Sequence, residues 1–415
     1  MNMIFLSIGE LSNLEDNSVY PDLLRCFRDN GHMVHVVCQH ERRSGLSTDL
    51  KIEHGIKVLR VETGNITKTN FIEKGISILL IGYQFREAIK KYFSDTKFDL
   101  ILYSTPPITI ESTVLYLKKR DKAFSYLMLK DIFPQNALDI GLLKTKGWKR
   151  IVTEYFFYKE KRLYLASDSI GCMSEANVEF LKKNYPYLKQ SKIGVCPNTI
   201  NPTTHEDFNK RLIKEKFKLP QDKVIFVYGG NFGKPQNVDF IIQILESNVN
   251  EINRHFVMCG SGTDFYKIKN YERNRNSTNL TVIDSLNKKD YDHLLNACDV
   301  GLIFLDRRFT IPNFPSRLLD YMNHSIPVLA TTDKNTDVSR VILDGRFGWW
   351  CESKDVHQYN DIVNEICADV QIILEKGKLG RKYLEKYYDT KIAYDQIIQE
   401  YKKEKKGRTI TDVQK

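Results

Sequence analysis

Short runs rich in Val, Ile, Leu and Phe alternate along this chain with longer stretches in which apolar positions recur every three or four residues. The first pattern predicts buried strands and the second predicts helices laid over them, the alternation that builds a parallel α/β sheet. In the first half the expected strands are Met3–Ile8, Val34–Cys38, Val58–Val61, Leu100–Tyr103, Ser125–Leu129, Ser169–Met173 and Ile193–Cys196. A helix is expected over Tyr20–Asn30, closed by Gly31, and a long amphipathic segment over Phe71–Phe93. The cycle then restarts. Strands are expected at Val224–Tyr228, His255–Met258, Leu280–Ile283, Val300–Phe304 and Val328–Thr331, with a helix near Val238–Glu246 and a last helical stretch over Lys378–Lys403. Two successive α/β units that divide near Pro197–Pro202 predict Rossmann-like domains over 1–198 and 199–377, a helix over 378–403 and a basic tail over 404–415.

A length of 415 residues agrees with more than one core, and 42% hydrophobic with 27% charged residues is an ordinary globular composition. The most apolar stretch, Ile76 to Gly82, falls far short of the ~20 residues a spanning helix needs. No basic segment followed by an apolar core marks a signal peptide at the N-terminus. The eight cysteines stand singly with no CxxC pair, which points to reduced thiols, a cytoplasmic chain and no zinc site. No pair among the nine histidines has metal-ligand spacing, so nothing requires a metal or another cofactor.

The formal charge of +10 is unevenly spread: residues 1–198 carry 29 Lys and Arg against 22 Asp and Glu, and residues 199–400 carry 27 against 28. A basic first half suits a phosphorylated substrate or an anionic membrane surface. No zinc-finger, RNP or helix-turn-helix signature accompanies it, so nucleic acid is not an expected partner.

The segment Asn313-Phe-Pro-Ser-Arg-Leu-Leu-Asp-Tyr-Met322 carries the most chemistry. Pro315 suits the first turn of a helix, and the amides of Ser316, Arg317 and Leu318 would then face outward towards an anion. Arg317 adds a fork suited to phosphate, and Asp320, three residues on, would share its face and accept from vicinal hydroxyls such as those of a ribose. A plain surface pair of Arg317 and Asp320 fits the same spacing. Upstream, Tyr228-Gly-Gly-Asn-Phe-Gly-Lys-Pro-Gln236 sets Gly229, Gly230 and Asn231 after a strand, where glycine lets backbone amides approach a diphosphate and Lys234 supplies charge. A tight strand–helix turn accounts for it equally. Gly260-Ser261-Gly262 follows the next strand, a weaker signal of the same kind.

These segments resemble the donor motifs of family-four glycosyltransferases. Pro315-Ser316-Arg317-Leu318-Leu319-Asp320-Tyr321-Met322, with Pro327-Val328, is similar to P-S-K-L-x-E-Y-M followed by G-x-P-V. The glycine-rich turn resembles Y-x-G-N-x-G-[RK]-x-Q. Where that family places its first glutamate this chain has Pro312, which leaves Asn313 or Asp306 for contact with the transferred sugar. Lys130-Asp-Ile-Phe-Pro-Gln135, with Gly141-Leu142-Leu143 after it, resembles the D-x-x-P-x segment of bacterial O-antigen and capsule enzymes; Asp131 there would be the catalytic base or acceptor partner, and a helix N-cap is the other reading. Gly9, Thr105 and Asn198 also fall at strand ends and are the expected acceptor contacts.

The resemblance implies the GT-B fold: two facing Rossmann-like domains with a cleft and a C-terminal helix that crosses back to the first. It implies a nucleotide-sugar donor, with UDP the first expectation against GDP, on the second domain. A lipid-diphosphate-linked saccharide would be the acceptor on the first, with retention the usual outcome. Trp148, Ile151, Val152, Tyr155 and Tyr158 recur at helical spacing among Lys144, Lys146, Lys149, Arg150, Lys159, Lys161 and Arg162. This suits a helix lying on the anionic inner face of the plasma membrane, joined by Ile76–Tyr83 with Lys74, Arg86, Lys90 and Lys91; a core-facing stripe with a solvated basic back is the alternative. Two other functions share the architecture: a non-catalytic partner of a true enzyme, for which Pro312 speaks, and a nucleotide-sugar 2-epimerase.

Overall fold

A computed structural model describes residues 1–9, 11, 13–67, 69–147, 149–204, 208–275 and 278–413. The chain forms two compact units, Met1–Asn201 with Thr390–Lys415, and Pro202–Asp389.

The first unit is built on an eight-stranded sheet. Its strands in chain order are β1 (Asn2–Leu6), β2 (Met33–Glu41), β3 (Asp49–Glu53), β4 (Ile56–Thr63), β5 (Leu100–Ser104), β6 (Phe124–Leu129), β7 (Ser169–Cys172) and β8 (Ile193–Val195). They lie in the order β3-β4-β2-β1-β5-β6-β7-β8, and all pairs are parallel except β3 with β4. Every residue of β5, β6 and β7 is buried, the pattern of strands covered by helices on both faces. β3 is different. Leu50 and Ile52 are exposed on this edge hairpin, so it has no buried apolar run, and none of the expected strands covers it.

The second unit carries β9 (Val224–Asn231), β10 (Arg254–Ser261), β11 (Leu280–Asp284), β12 (Val300–Phe304), β13 (Val328–Thr332) and β14 (Gly348–Glu352). Their order is β11-β10-β9-β12-β13-β14, all parallel, with the strand order reversing between β9 and β12. Such a reversal opens a crevice at the carboxyl ends of the strands. The core beneath it packs Phe226, Phe256, Phe304, Leu302 and Trp349 against helix residues Ile241, Ile244, Tyr359 and Val363.

The single helix expected over Lys378–Lys403 is two helices, Val370–Tyr387 and Thr390–Val413. Tyr388 leaves helical geometry at φ −133°, ψ 15°, with its ring beside Phe314 and Tyr383. The second of these helices belongs to the first unit: Ala393, Ile397 and Tyr401 join the core of β1 and β6, and Tyr394 packs on Phe27. It runs on through the expected tail to Val413. No helix among the described residues is long and apolar enough to cross a membrane.

Candidate functional site

In the second unit, the carboxyl ends of β9 and β10 meet as glycines. Gly230 pairs with Gly260 in register, and a Cβ on Gly260, whose φ is +153°, would run into the Gly230 carbonyl oxygen. A Cβ on Gly229 would collide with the Tyr291 phenol. Only glycine therefore lets the two strand ends and Tyr291 close up.

Arg317 enters from the short helix Arg317–Asn323. Its guanidinium lies 4.3 Å from the centre of the Tyr228 ring, a cation–π contact, and Nη2 would lie 3.1 Å from a Cβ on Gly230. Its Nη1 is buried without a hydrogen-bond partner among the described residues. A buried, permanently charged donor with an open valence is a site for an anion. Tyr321, on the same helix, donates to the Val227 and Leu302 carbonyls at 3.2 and 3.1 Å, so it ties the helix to β9 and β12.

Asp320 does not pair with Arg317. Its Oδ1 accepts from Lys288 Nζ at 2.9 Å, and Lys288 also reaches Asp292 at 2.7 Å. Burial opposes the charge on Lys288, but Asp320 and Asp292 outweigh it and raise its pKa above the ordinary lysine value. Together Gly229, Gly230, Gly260, Ser316, Arg317 and Asp320 line one cavity of about 410 Å³, with Cys259, Ser285, Leu286, Lys288 and Tyr291. None of these last five is singled out by the sequence. Lys288 in particular is one lysine among many until its ion pair is seen.

Other expected donor residues lie around this cavity without lining it. Asn231 donates to Gln236 Oε1 at 3.0 Å, and that oxygen also accepts from the Gly233 amide at 3.1 Å, so Asn231 shapes the turn. Lys234 is exposed at the start of the following single turn. A Cβ on Gly262 would meet the Phe232 carbonyl, which accounts for this glycine by packing. The Leu318 side chain is in the core and its amide bonds the Pro315 carbonyl at 3.3 Å, so the outward-facing amide expected of it is not available. The helix begins at Arg317 with Ser316 as its N-cap, so Pro315 precedes the first turn expected to hold it. Near the absent glutamate, both carboxylate oxygens of buried Asp306 are taken by Arg308, whereas Asn313 has a buried Nδ2 with no partner among the described residues.

The first unit gathers a second set at the carboxyl ends of β5 and β6. Thr105 Oγ1 accepts from the Lys130 amide at 3.2 Å and donates to the Asp131 carbonyl at 3.1 Å. Asp131 Oδ1 accepts from Asn136 Nδ2 at 2.6 Å. Burial pushes the Asp131 carboxyl up to about 6, held back by Asn136 and the Ile132 amide. The nearby helix Gln135–Asp139 is capped by Pro134, so Asp131 caps no helix. Asn198 is buried with Nδ2 3.5 Å from Met173 Sδ after β7, and Gly9 follows β1 with its amide on Ser7 Oγ at 3.1 Å.

The helix Lys149–Ala166 buries Thr153, Glu160, Leu163, Tyr164 and Ala166 and leaves Ile151 72% exposed, with Val152, Tyr155 and Tyr158 also exposed. The stripe is therefore not core. Lys159 is spent on buried Glu111 at 2.7 Å. Ile76, Leu79, Leu80 and Tyr83 are exposed along Phe71–Tyr92. Trp148 and His205 lie outside the described residues.

A doubly wound sheet with a crevice at its switch point is the architecture of many nucleotide-binding domains, and comparison with known proteins narrows the class. Residues 209–378 match the family model of glycosyl transferases group 1. The chain is 23% identical over 338 residues to a probable glycosyltransferase, WbjE of Pseudomonas aeruginosa, covering 80% of each. Among solved structures it is similar to a sucrose-phosphate synthase from Thermosynechococcus elongatus, at a TM-score of 0.73 and 14% identity over 97% of this chain and 98% of that one. It is also similar to HepE from Anabaena, solved in complex with UDP, at 0.64 and 12% over 96% and 99%. Residues 209–378 are a glycosyl transferases group 1 domain, and the chain is a glycosyltransferase of the GT-B fold.

Proposed function

We propose that this glycosyltransferase takes a hexose or N-acetylhexosamine from a UDP-linked donor and passes it to a lipid-linked saccharide, in the making of a bacterial O-antigen or capsule. The observation that carries the reading is the single cavity on which Gly229, Gly230, Gly260, Ser316, Arg317 and Asp320 converge. The UDP held by HepE, on a chain of like fold, supports a nucleoside diphosphate as its occupant.

In this reading the glycines let the diphosphate approach the strand ends, and the Arg317 Nη1 meets the charge that develops on the phosphate oxygens as the glycosidic bond breaks. Ser316 adds a hydroxyl, Asp320 accepts from the ribose, and Asn313 contacts the transferred sugar in place of the absent glutamate. Lys234, exposed on the turn after β9, adds positive charge for the diphosphate. No metal ion is needed when a buried guanidinium supplies the counter-charge. On the acceptor side Asp131, with a carboxyl that titrates near 6, takes up the proton of the attacking hydroxyl, and Gly9, Thr105 and Asn198 frame the acceptor. Retention at the anomeric carbon is the outcome expected of the family. The exposed apolar residues of the helices Lys149–Ala166 and Phe71–Tyr92, flanked by basic side chains, rest on the anionic inner face of the plasma membrane.

Calorimetric titration of UDP and GDP into the protein and into an Arg317→Ala variant tests this. UDP should bind, and the variant should bind it at least ~tenfold more weakly. If neither nucleotide binds, the donor assignment of the cavity is lost.

A further inference from the structure

Lys130 closes β6 in the first unit, and its ammonium is more poorly partnered than those of Lys118, Lys159 and Lys192 in the same unit. Lys118 pairs with Asp168 and Lys159 with Glu111, each at 2.7 Å. Lys192 donates to the Tyr164 and Ser167 carbonyls at 2.6 and 2.9 Å. Among the described residues Lys130 has no carboxylate partner, and its ammonium makes one long hydrogen bond, 3.5 Å to the Pro197 carbonyl. The titratable groups that face it, Cys172 at the end of β7 and Cys196 after β8, are both pushed up by burial and carry no charge near neutral pH. Its own amide is fixed on Thr105 Oγ1 at 3.2 Å, so the strand end that bears it is held in place.

We propose that Lys130 is an anion site for a phosphoryl group carried by the acceptor. A partly buried ammonium with two unused donors, at the ligand-binding end of a parallel sheet and next in sequence to Asp131, is a counter-ion awaiting its partner. The proposal deepens the acceptor side of the function argued above and rests on it. It places the phosphoryl on Lys130 and leaves Asp131 for the attacking hydroxyl. Burial pulls Lys130 down to about 8, so the ammonium persists at pH 7 and is lost by pH 9.

The test uses the full chain with Arg317→Ala, which removes the unpaired cation of the donor cavity and leaves Lys288 held by Asp320 and Asp292. Inorganic pyrophosphate, geranyl diphosphate and glucose 6-phosphate are titrated in turn by calorimetry at pH 7 and pH 9. At least one should bind, more weakly at pH 9, with Lys130→Met lowering the affinity at least tenfold and Lys130→Arg retaining it at both pH values. Preference for geranyl diphosphate identifies a lipid-linked source, and preference for glucose 6-phosphate a soluble phosphorylated sugar. Binding of none of them, or equal binding by the Lys130→Met protein, overturns the site. Should the Met variant melt early, Lys130→Gln and the pH 7 to pH 9 difference in the parent decide the same question. No donor or turnover enters this test, so it succeeds or fails separately from UDP titration of the unsubstituted protein.

Discussion

Lys288 and Asp320, thirty-two residues apart, meet at 2.9 Å inside the cavity of the second unit. The ion pair fixes the carboxylate of Asp320 before any ligand arrives, and it places a cation beside Arg317 where a diphosphate would lie. A hydrogen bond from a ribose hydroxyl to this carboxylate would contribute about 1.5–3 kcal/mol. Asp320→Asn should therefore weaken UDP binding by roughly tenfold to a hundredfold. It should weaken 2′-deoxy-UDP less if Asp320 accepts from the ribose, and calorimetry of both ligands on both proteins reads that coupling. Equal losses for the two nucleotides would place Asp320 in the scaffold and not on the sugar.

Lys288→Met removes the cation paired with Asp320 in the cavity proposed for the diphosphate. UDP affinity should fall by about tenfold, and Asp320→Asn added to Lys288→Met should cost less than it does alone, since the carboxylate of Asp320 then repels the ligand. Additive losses would show that the two residues act independently.

Gly260→Ala asks whether the glycines serve packing. Its Cβ would enter the Gly230 carbonyl at a φ that alanine rarely adopts, so about 1–3 kcal/mol of stability should be lost. Gly75→Ala, in the helix Phe71–Tyr92 with nothing among the described residues within 4 Å of the new Cβ, should instead gain about 0.5–1 kcal/mol. Urea midpoints of the two variants should move in opposite directions.

The parts of this fold that local pattern determines were legible from the residues: the buried parallel strands, the glycine turn after β9 and the Pro-Ser-Arg segment. What was not legible depends on contacts distant in sequence. Lys288 matters because Asp320 faces it, and neither residue announces the other. The break at Tyr388 comes without proline or glycine, where packing on Phe314 and Tyr383 overrides helix propensity. β14, Gly-Trp-Trp-Cys-Glu, lacks the branched aliphatics by which its neighbours are recognised. Asp306 and Asn313 were equal candidates to stand in for the glutamate, until Arg308 was seen to occupy the first.

Asp131 should be read through the pH dependence of turnover. Its carboxyl is raised by burial to about 6, so the base form accumulates as pH rises through 6, and kcat/KM should climb about tenfold per unit below that value. Asp131→Asn should abolish that limb and most of the activity while UDP still binds. If the pH profile of the residual activity is unchanged, the proton goes elsewhere.

Glu160 gives a prediction for stability alone. It is 1% exposed and accepts from the Tyr164 and Tyr185 hydroxyls at 2.9 and 3.0 Å, yet burial pushes its carboxyl up to about 8. A folded-state pKa above the unfolded value means that the folded chain holds the proton more tightly. The contribution of Glu160 is thus fully present below about pH 4.5 and is lost as pH rises towards 8, by up to roughly 4–5 kcal/mol over that window. Glu160→Gln keeps an oxygen for the two phenols and cannot ionise. Its urea midpoint should change less between pH 5 and pH 8 than that of the unsubstituted protein, and at pH 8 it should be the higher of the two. Parallel pH curves for the two proteins would show that Glu160 does not change its protonation over this range.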